Sequence, residues 1–126
     1  MLEYDIFCIS ETWLNSGVNN AEIFDLNQFN VWRTDRRFIQ TSTSRGEGVL
    51  LAIRKNYEAV LVDLHPLYDH LKRIPWIDIV VVQCKFAINF SVYIVLVYIP
   101  PRCSVDEYSV FVECIMTMSW LYESKI

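Results

Sequence analysis

Two side chains at the ends of apolar runs are the strongest candidates for chemistry in this sequence. Glu11 closely follows the apolar run 4–9, and Tyr98 lies at the end of the apolar run 90–99. Ligands of open α/β sheets collect at the carboxyl ends of strands, where a carboxylate can hold Mg²⁺ together with several waters. A phenol there can donate a hydrogen bond to a phosphate oxygen. The pattern predicts a cation site at Glu11 and a phosphate contact at Tyr98; the alternatives are a solvated Glu and a half-buried strand aromatic.

A basic segment separates these two candidates. Residues 33–55 carry a formal charge of +4, although the whole chain carries -4. Guanidinium groups bind phosphate through two hydrogen bonds, so Arg36 and Arg45 are candidate DNA contacts. Gly46 and Gly48 allow a positive φ or a close backbone approach. The alternative is a solvated loop, and the segment matches neither a P-loop nor a dinucleotide-binding fingerprint.

Apolar runs predict the strands that position these residues. Strands are expected over 4–9 (a buried one), 29–32, 48–53, 59–62, 76–86 and 90–99. The third and fourth are expected to pair as a hairpin, and the last two are separated by a short turn at 87–89. Residues 15–30 and 64–75 are expected to be loops, the first with a short helical turn.

A helix is predicted after Pro100 and Pro101, which stop the last strand. Ser104 and Glu107 have the spacing of a capping box, and apolar residues follow at helical intervals. Several strands followed by a helix indicate an α/β layered sandwich.

Composition sets outer limits on the function. A chain of 126 residues suits one domain, and 53% hydrophobic residues exclude a disordered protein. The net charge of -4 excludes a chain that binds nucleic acid along its whole length. The four cysteines lack zinc-ligand spacing, which favours an intracellular, reducing location. The first ten residues lack the basic start of a signal peptide, and the longest apolar run, 92–99, is too short for a transmembrane segment.

Four segments, in order, resemble the endonuclease/exonuclease/phosphatase superfamily. Residues 5–14, DIFCISETWL, resemble its D-I-x-x-I-x-E-T-W-L segment. The others are RTDR at 33–36, RGEGV at 45–49 and VYIPP at 97–101. The set covers nearly the whole chain and is most similar to the N-terminal endonuclease of non-LTR (LINE-type) retrotransposon reverse transcriptase proteins.

This resemblance implies a fold and a reaction. The fold is a four-layer α/β sandwich with two sheets between helices. The reaction is phosphodiester hydrolysis dependent on Mg²⁺ or Mn²⁺, here nicking of DNA to expose a 3′-hydroxyl primer. Glu11 matches the metal-binding Glu of the family, and Tyr98 matches its catalytic Tyr, which contacts the scissile phosphate. DNA is the implied partner, and the location is nuclear if the chain acts on DNA. From the sequence we expect no membrane partner.

The sequence also departs from the family pattern. The first strand with its metal-site Asn, the G-D-F-N segment and the S-D-H segment do not occur in the 126 residues. We therefore expect residues 1–126 to form a single truncated domain, a partial sandwich of mostly strands with a C-terminal helix. Because the later segments supply the family's Asp, Asn and His, we expect little or no nuclease activity from this chain alone. Glu47 stands where relatives more often have glycine, and we expect it to perturb that turn.

Three alternatives remain open from the sequence. The chain could be a non-catalytic remnant that binds DNA or a protein through the basic segment. It could be a fragment of another phosphoesterase of the same superfamily, such as a lipid or inositol phosphatase. It could also fail to fold stably, because half a sandwich leaves apolar faces and strand edges bare.

Overall fold

The computed structural model describes residues 4–12, 17–34 and 48–123, which are mostly strands with a C-terminal helix. The strands are β1 (Ile6–Ser10), β2 (Phe29–Thr34), β3 (Val49–Arg54), β4 (Glu58–Leu61), β5 (Asp78–Ala87) and β6 (Phe90–Tyr98). The α-helices are α1 (Tyr68–Leu71) and α2 (Val105–Glu123). The mixed α/β class predicted from the sequence is confirmed, whereas the four-layer sandwich and the single truncated domain stay predictions.

The strands form two three-stranded antiparallel sheets within one compact unit, residues 1–62 and 78–98. The strand orders are β1-β3-β2 and β4-β5-β6. The sheets share one core, made of Val49, Leu51 and Ile53 from β3 and Val80, Val82 and Cys84 from β5. Each fully buried Val, Leu or Ile contributes about 1.5–3 kcal/mol to the stability of the folded chain.

Residues 49–53 of β3 and residues 79–82 of β5 are continuously apolar because they are buried on both faces. On β3, Leu50 and Ala52 are as deeply buried as the neighbours that point into the shared core. A strand in that position has no polar face to alternate with its apolar one.

The predicted hairpin of 48–53 with 59–62 is wrong. β3 lies between β1 and β2, so both of its edges are occupied. β4 therefore pairs with β5 in the other sheet, with Ala59 opposite Cys84. At the end of β3, the Arg54 N–H donates to the Asp5 carbonyl and the Lys55 N–H donates to the Gln28 carbonyl. The strands predicted on either side of the 87–89 turn do pair, as β5 and β6.

The prediction that the first strand is buried is also wrong. Only the start of β1 is half-buried, and Cys8, Ile9 and Ser10 are exposed. In the described part of the chain, β1 pairs with β3 alone. An edge strand leaves one side of its backbone and much of its side-chain surface in contact with solvent.

The second compact unit, residues 63–77 and 99–126, is helical. The capping box is confirmed: the Glu107 N–H donates to Ser104 Oγ, and the Ser104 N–H donates to Glu107 Oε1, both at 3.1 Å. The predicted loop 64–75 instead contains a 3-10 turn at His65–Leu67 followed by α1.

No helix in the described residues combines the length and apolarity needed to cross a membrane.

Candidate functional site

Glu11 and Tyr98, the two candidates of the sequence, are in contact. Tyr98 Oη donates a hydrogen bond to Glu11 Oε1 at 3.1 Å, across 87 positions of sequence. Glu11 follows the last residue of β1, and Tyr98 is the last residue of β6. Since β1 and β6 belong to different sheets, the packing of the two sheets brings these strand ends together.

The ring of Tyr98 is anchored while its hydroxyl group stays near the surface. The ring packs against the shared core. Its strand position is fixed by pairing with β5, where Tyr98 lies directly opposite Asp78. A tyrosine held in this way buries its apolar ring and presents a polar tip at a defined place.

The backbone of Glu11 is strained. Its φ is 51°, the sole positive value among the described residues other than glycine. The left-handed conformation costs roughly 1–2 kcal/mol for a residue with a Cβ atom, and such residues cluster at functional sites. The next residue, Thr12, donates its N–H to the Gly48 carbonyl at 3.3 Å. Gly48 has φ 90°, a backbone conformation that glycine adopts without steric cost.

The carboxylate of Glu11 is exposed. Within the described residues, no Lys, Arg or His forms an ion pair with it. The hydrogen bond from Tyr98 uses only part of the acceptor capacity of two carboxylate oxygens. The group is therefore free to approach a cation.

Mg²⁺ fits this donor set in one respect. An exposed carboxylate oxygen is the ligand type that Mg²⁺ prefers, and Mg²⁺ commonly keeps several waters beside one or two carboxylates. Across residues 4–12, 17–34 and 48–123, no group of three His, Cys, Asp or Glu side chains could hold a metal ion. Among the described side chains, Glu11 is the one that would hold the ion.

Sequence reasoning missed Asp78. This residue is only 2% exposed, and its Oδ2 accepts the Gly48 N–H at 2.8 Å. It begins β5 directly opposite Tyr98. The sequence does place Asp78 as a single acid at the start of an apolar, β-branched run. Because carboxylates are almost never fully buried without a specific partner, that position could have marked Asp78 as a residue with a specific role.

Arg36 and Arg45, the candidate DNA contacts, lie outside the described residues, as does Glu47. Burial raises the pKa of the Cys84 and Cys114 thiols, which keeps them protonated and poorly nucleophilic.

Comparison of the chain with protein-family models, curated proteins and solved structures gave no significant match.

Proposed function

We propose that this chain is part of a metal-dependent DNA endonuclease of the endonuclease/exonuclease/phosphatase type, most similar to the target-nicking domain of non-LTR retrotransposons. Glu11 binds Mg²⁺ or Mn²⁺, and Tyr98 contacts the scissile phosphate. The proposal rests on the four ordered segments that resemble that superfamily. The alternatives are a non-catalytic DNA- or protein-binding remnant and a fragment of another phosphoesterase of the superfamily.

The observation that carries the proposal is the hydrogen bond between Tyr98 and Glu11. The resemblance assigns a metal-binding role to one residue and a phosphate-binding role to the other, which requires them to be neighbours. Their side chains meet at 3.1 Å although they belong to different sheets. The strained φ of Glu11 adds support, because retained strain is typical of functional residues.

The chemical roles follow from the types of atom. Glu11 supplies a negative oxygen to a cation, and Tyr98 supplies an O–H donor to a phosphate oxygen. A bound Mg²⁺ neutralises charge on a scissile phosphate and on its leaving oxygen. Neither residue serves as a general base for the attacking water, so we expect binding of metal and DNA without efficient hydrolysis.

Metal binding is tested by titrating the full chain with Mn²⁺ and following the paramagnetic broadening of assigned amide resonances. We expect the Thr12 and Tyr98 resonances to broaden first and Glu11→Gln to abolish this effect. Glu58→Gln is the matched control, because Glu58 is an exposed carboxylate that lies 4.0 Å from the Lys85 ammonium. Equal broadening in the wild type and in Glu11→Gln would overturn the assignment of the metal to Glu11.

Catalysis is tested by incubating supercoiled plasmid with the chain and Mg²⁺. We expect little or no relaxed product. Relaxed circles that disappear with Glu11→Ala would show that the chain is active alone and contradict that expectation. DNA binding that weakens with salt and with Arg36→Ala plus Arg45→Ala, without binding of metal at Glu11, would favour the non-catalytic remnant.

A further inference from the structure

The burial of Asp78 is unusual for a carboxylate. The side chain is 2% exposed at the start of β5, beside the shared core. Removing a carboxylate from water is costly unless hydrogen bonds compensate, so such residues persist where a specific interaction requires them. The Gly48 N–H, 2.8 Å from Oδ2, is one such interaction.

A closed circuit of contacts links Asp78 to the candidate site. Asp78 accepts the Gly48 N–H, and the Gly48 carbonyl accepts the Thr12 N–H. Thr12 is bonded covalently to Glu11, whose carboxylate accepts the Tyr98 hydroxyl. Tyr98 lies opposite Asp78 in the β5–β6 register, which closes the circuit. Residues directly opposite on antiparallel strands share a face, with Cβ atoms about 5 Å apart.

We infer that Asp78 is a positioning residue that fixes the Glu11–Tyr98 pair through the backbone of Gly48. The inference deepens the proposed function by naming what holds its two site residues together. The hydrogen bond from Gly48 to Asp78 holds the Gly48 backbone in place. The Gly48 carbonyl in turn holds Thr12, while Ser10 is held by its pairing with Val49. Glu11 lies between these two fixed residues and is kept at its φ of 51°.

The strain at Glu11 explains why a positioning residue is needed. A non-glycine residue at positive φ relaxes toward the extended region when its neighbours no longer hold it. That relaxation swings the Glu11 side chain away from its present direction and breaks its contact with the Tyr98 hydroxyl. We expect this change to be confined to the ends of β1 and β6 that carry Glu11 and Tyr98.

The test compares Asp78→Leu and Asp78→Asn in the full chain by NMR, without metal or DNA. The Tyr98 ¹³Cζ shift reports the hydrogen bond to Glu11, and Glu11→Gln provides the shift of the weakened pair. We expect Asp78→Leu to move the Tyr98 ¹³Cζ signal to or beyond the Glu11→Gln value. Asp78→Asn preserves the side-chain volume and leaves a weaker acceptor for the Gly48 N–H. We therefore expect the Tyr98 ¹³Cζ signal to move in the same direction but by less.

The control is Tyr57, whose hydroxyl donates to the Asp5 carboxylate at 3.0 Å. We expect its ¹³Cζ signal to stay unchanged in both Asp78 variants, which a general loss of packing would not allow. If Asp78→Leu fails to fold, Asp78→Asn decides. A displaced Gly48 amide resonance with an unchanged Tyr98 signal would overturn the inference. This readout needs no metal, so a failure of Mn²⁺ binding at Glu11 would refute the proposed function separately.

Discussion

Two carboxylate–tyrosine pairs flank the same strand, β1, and they differ in what neutralises the carboxylate. Before β1, Asp5 accepts the Tyr57 hydroxyl at 3.0 Å and the Arg54 Nε–H at 3.1 Å. After β1, Glu11 accepts the Tyr98 hydroxyl at 3.1 Å and, within the described residues, has no cationic partner. The residue types are nearly the same, so the presence of a cation distinguishes the pairs.

The Asp5 pair belongs to a larger structural cluster. Arg54 also donates from Nη2 to the Tyr4 carbonyl at 3.0 Å and from Nη1 to Gln28 Oε1 at 3.4 Å. Its guanidinium lies over the Phe29 ring, 4.7 Å from the centroid. One side chain therefore ties the end of β3 to the segments before β1 and β2. Among the described residues, the Glu11 side chain has no comparable set of ties, which is why we propose a functional rather than a structural role for it.

Arg54→Met should produce the largest loss of stability among the changes that separate the two pairs. It removes three hydrogen bonds and leaves Asp5 without its cation, so we expect about 2 kcal/mol of destabilisation. Glu11→Gln keeps an acceptor for Tyr98 and should change stability by less than about 0.5 kcal/mol. Urea unfolding of both variants measures the difference. Similar losses would show that the two pairs are equally structural.

The difference between the pairs was only partly predictable from the sequence. Glu11 and Tyr98 were identified because each comes at the end of an apolar run, and this pattern is local. The contact between them depends on how two sheets pack, which no local pattern encodes. Asp78 was missed for the same reason, since its role depends on Gly48, thirty positions away.

The wrong hairpin shows a second limit of local patterns. Two apolar strands joined by Arg54–Asn56 have the pattern of a hairpin, but β3 had no free edge to offer. Occupancy of strand edges is a property of the whole sheet. The capping box of Ser104 and Glu107, by contrast, involves residues three positions apart and was predicted correctly.

Glycine at position 11 tests whether the backbone of the Glu11–Tyr98 pair is strained. Glu11→Ala and Glu11→Gly both remove the carboxylate, but only glycine accepts a φ of 51° without a steric cost. We expect Glu11→Gly to be more stable than Glu11→Ala by about 1 kcal/mol. At Ser10, within β1, the same comparison should have the opposite sign, because glycine weakens an extended strand. Thermal unfolding of the four variants measures these differences. Equal stability of Glu11→Gly and Glu11→Ala would contradict backbone strain at position 11.

Raising the pH should reveal the pair of Tyr57 and Asp5 through a smaller effect on the stability of the fold. Two effects raise the pKa of the Tyr57 hydroxyl above its usual value near 10. The larger is the hydrogen bond to Asp5, and the smaller is the negative charge of Asp5. The folded state therefore holds this proton more tightly than the unfolded state. The resulting stabilisation is complete below the unfolded pKa and is lost as the pH rises through the folded pKa.

Tyr57→Phe removes this contribution, so its unfolding free energy should fall less steeply above pH 10 than that of the wild type. Tyr98→Phe is the matched variant at the other end of β1. It leaves the Tyr57 hydroxyl in place, so its stability should still show the loss at high pH that is due to Tyr57. Urea unfolding between pH 8 and about 11.5 measures both profiles. Parallel curves for the wild type and Tyr57→Phe would mean that the Asp5 charge, already neutralised by Arg54, no longer acts on the phenol. The Asp5 end would then resemble an ordinary surface ion pair.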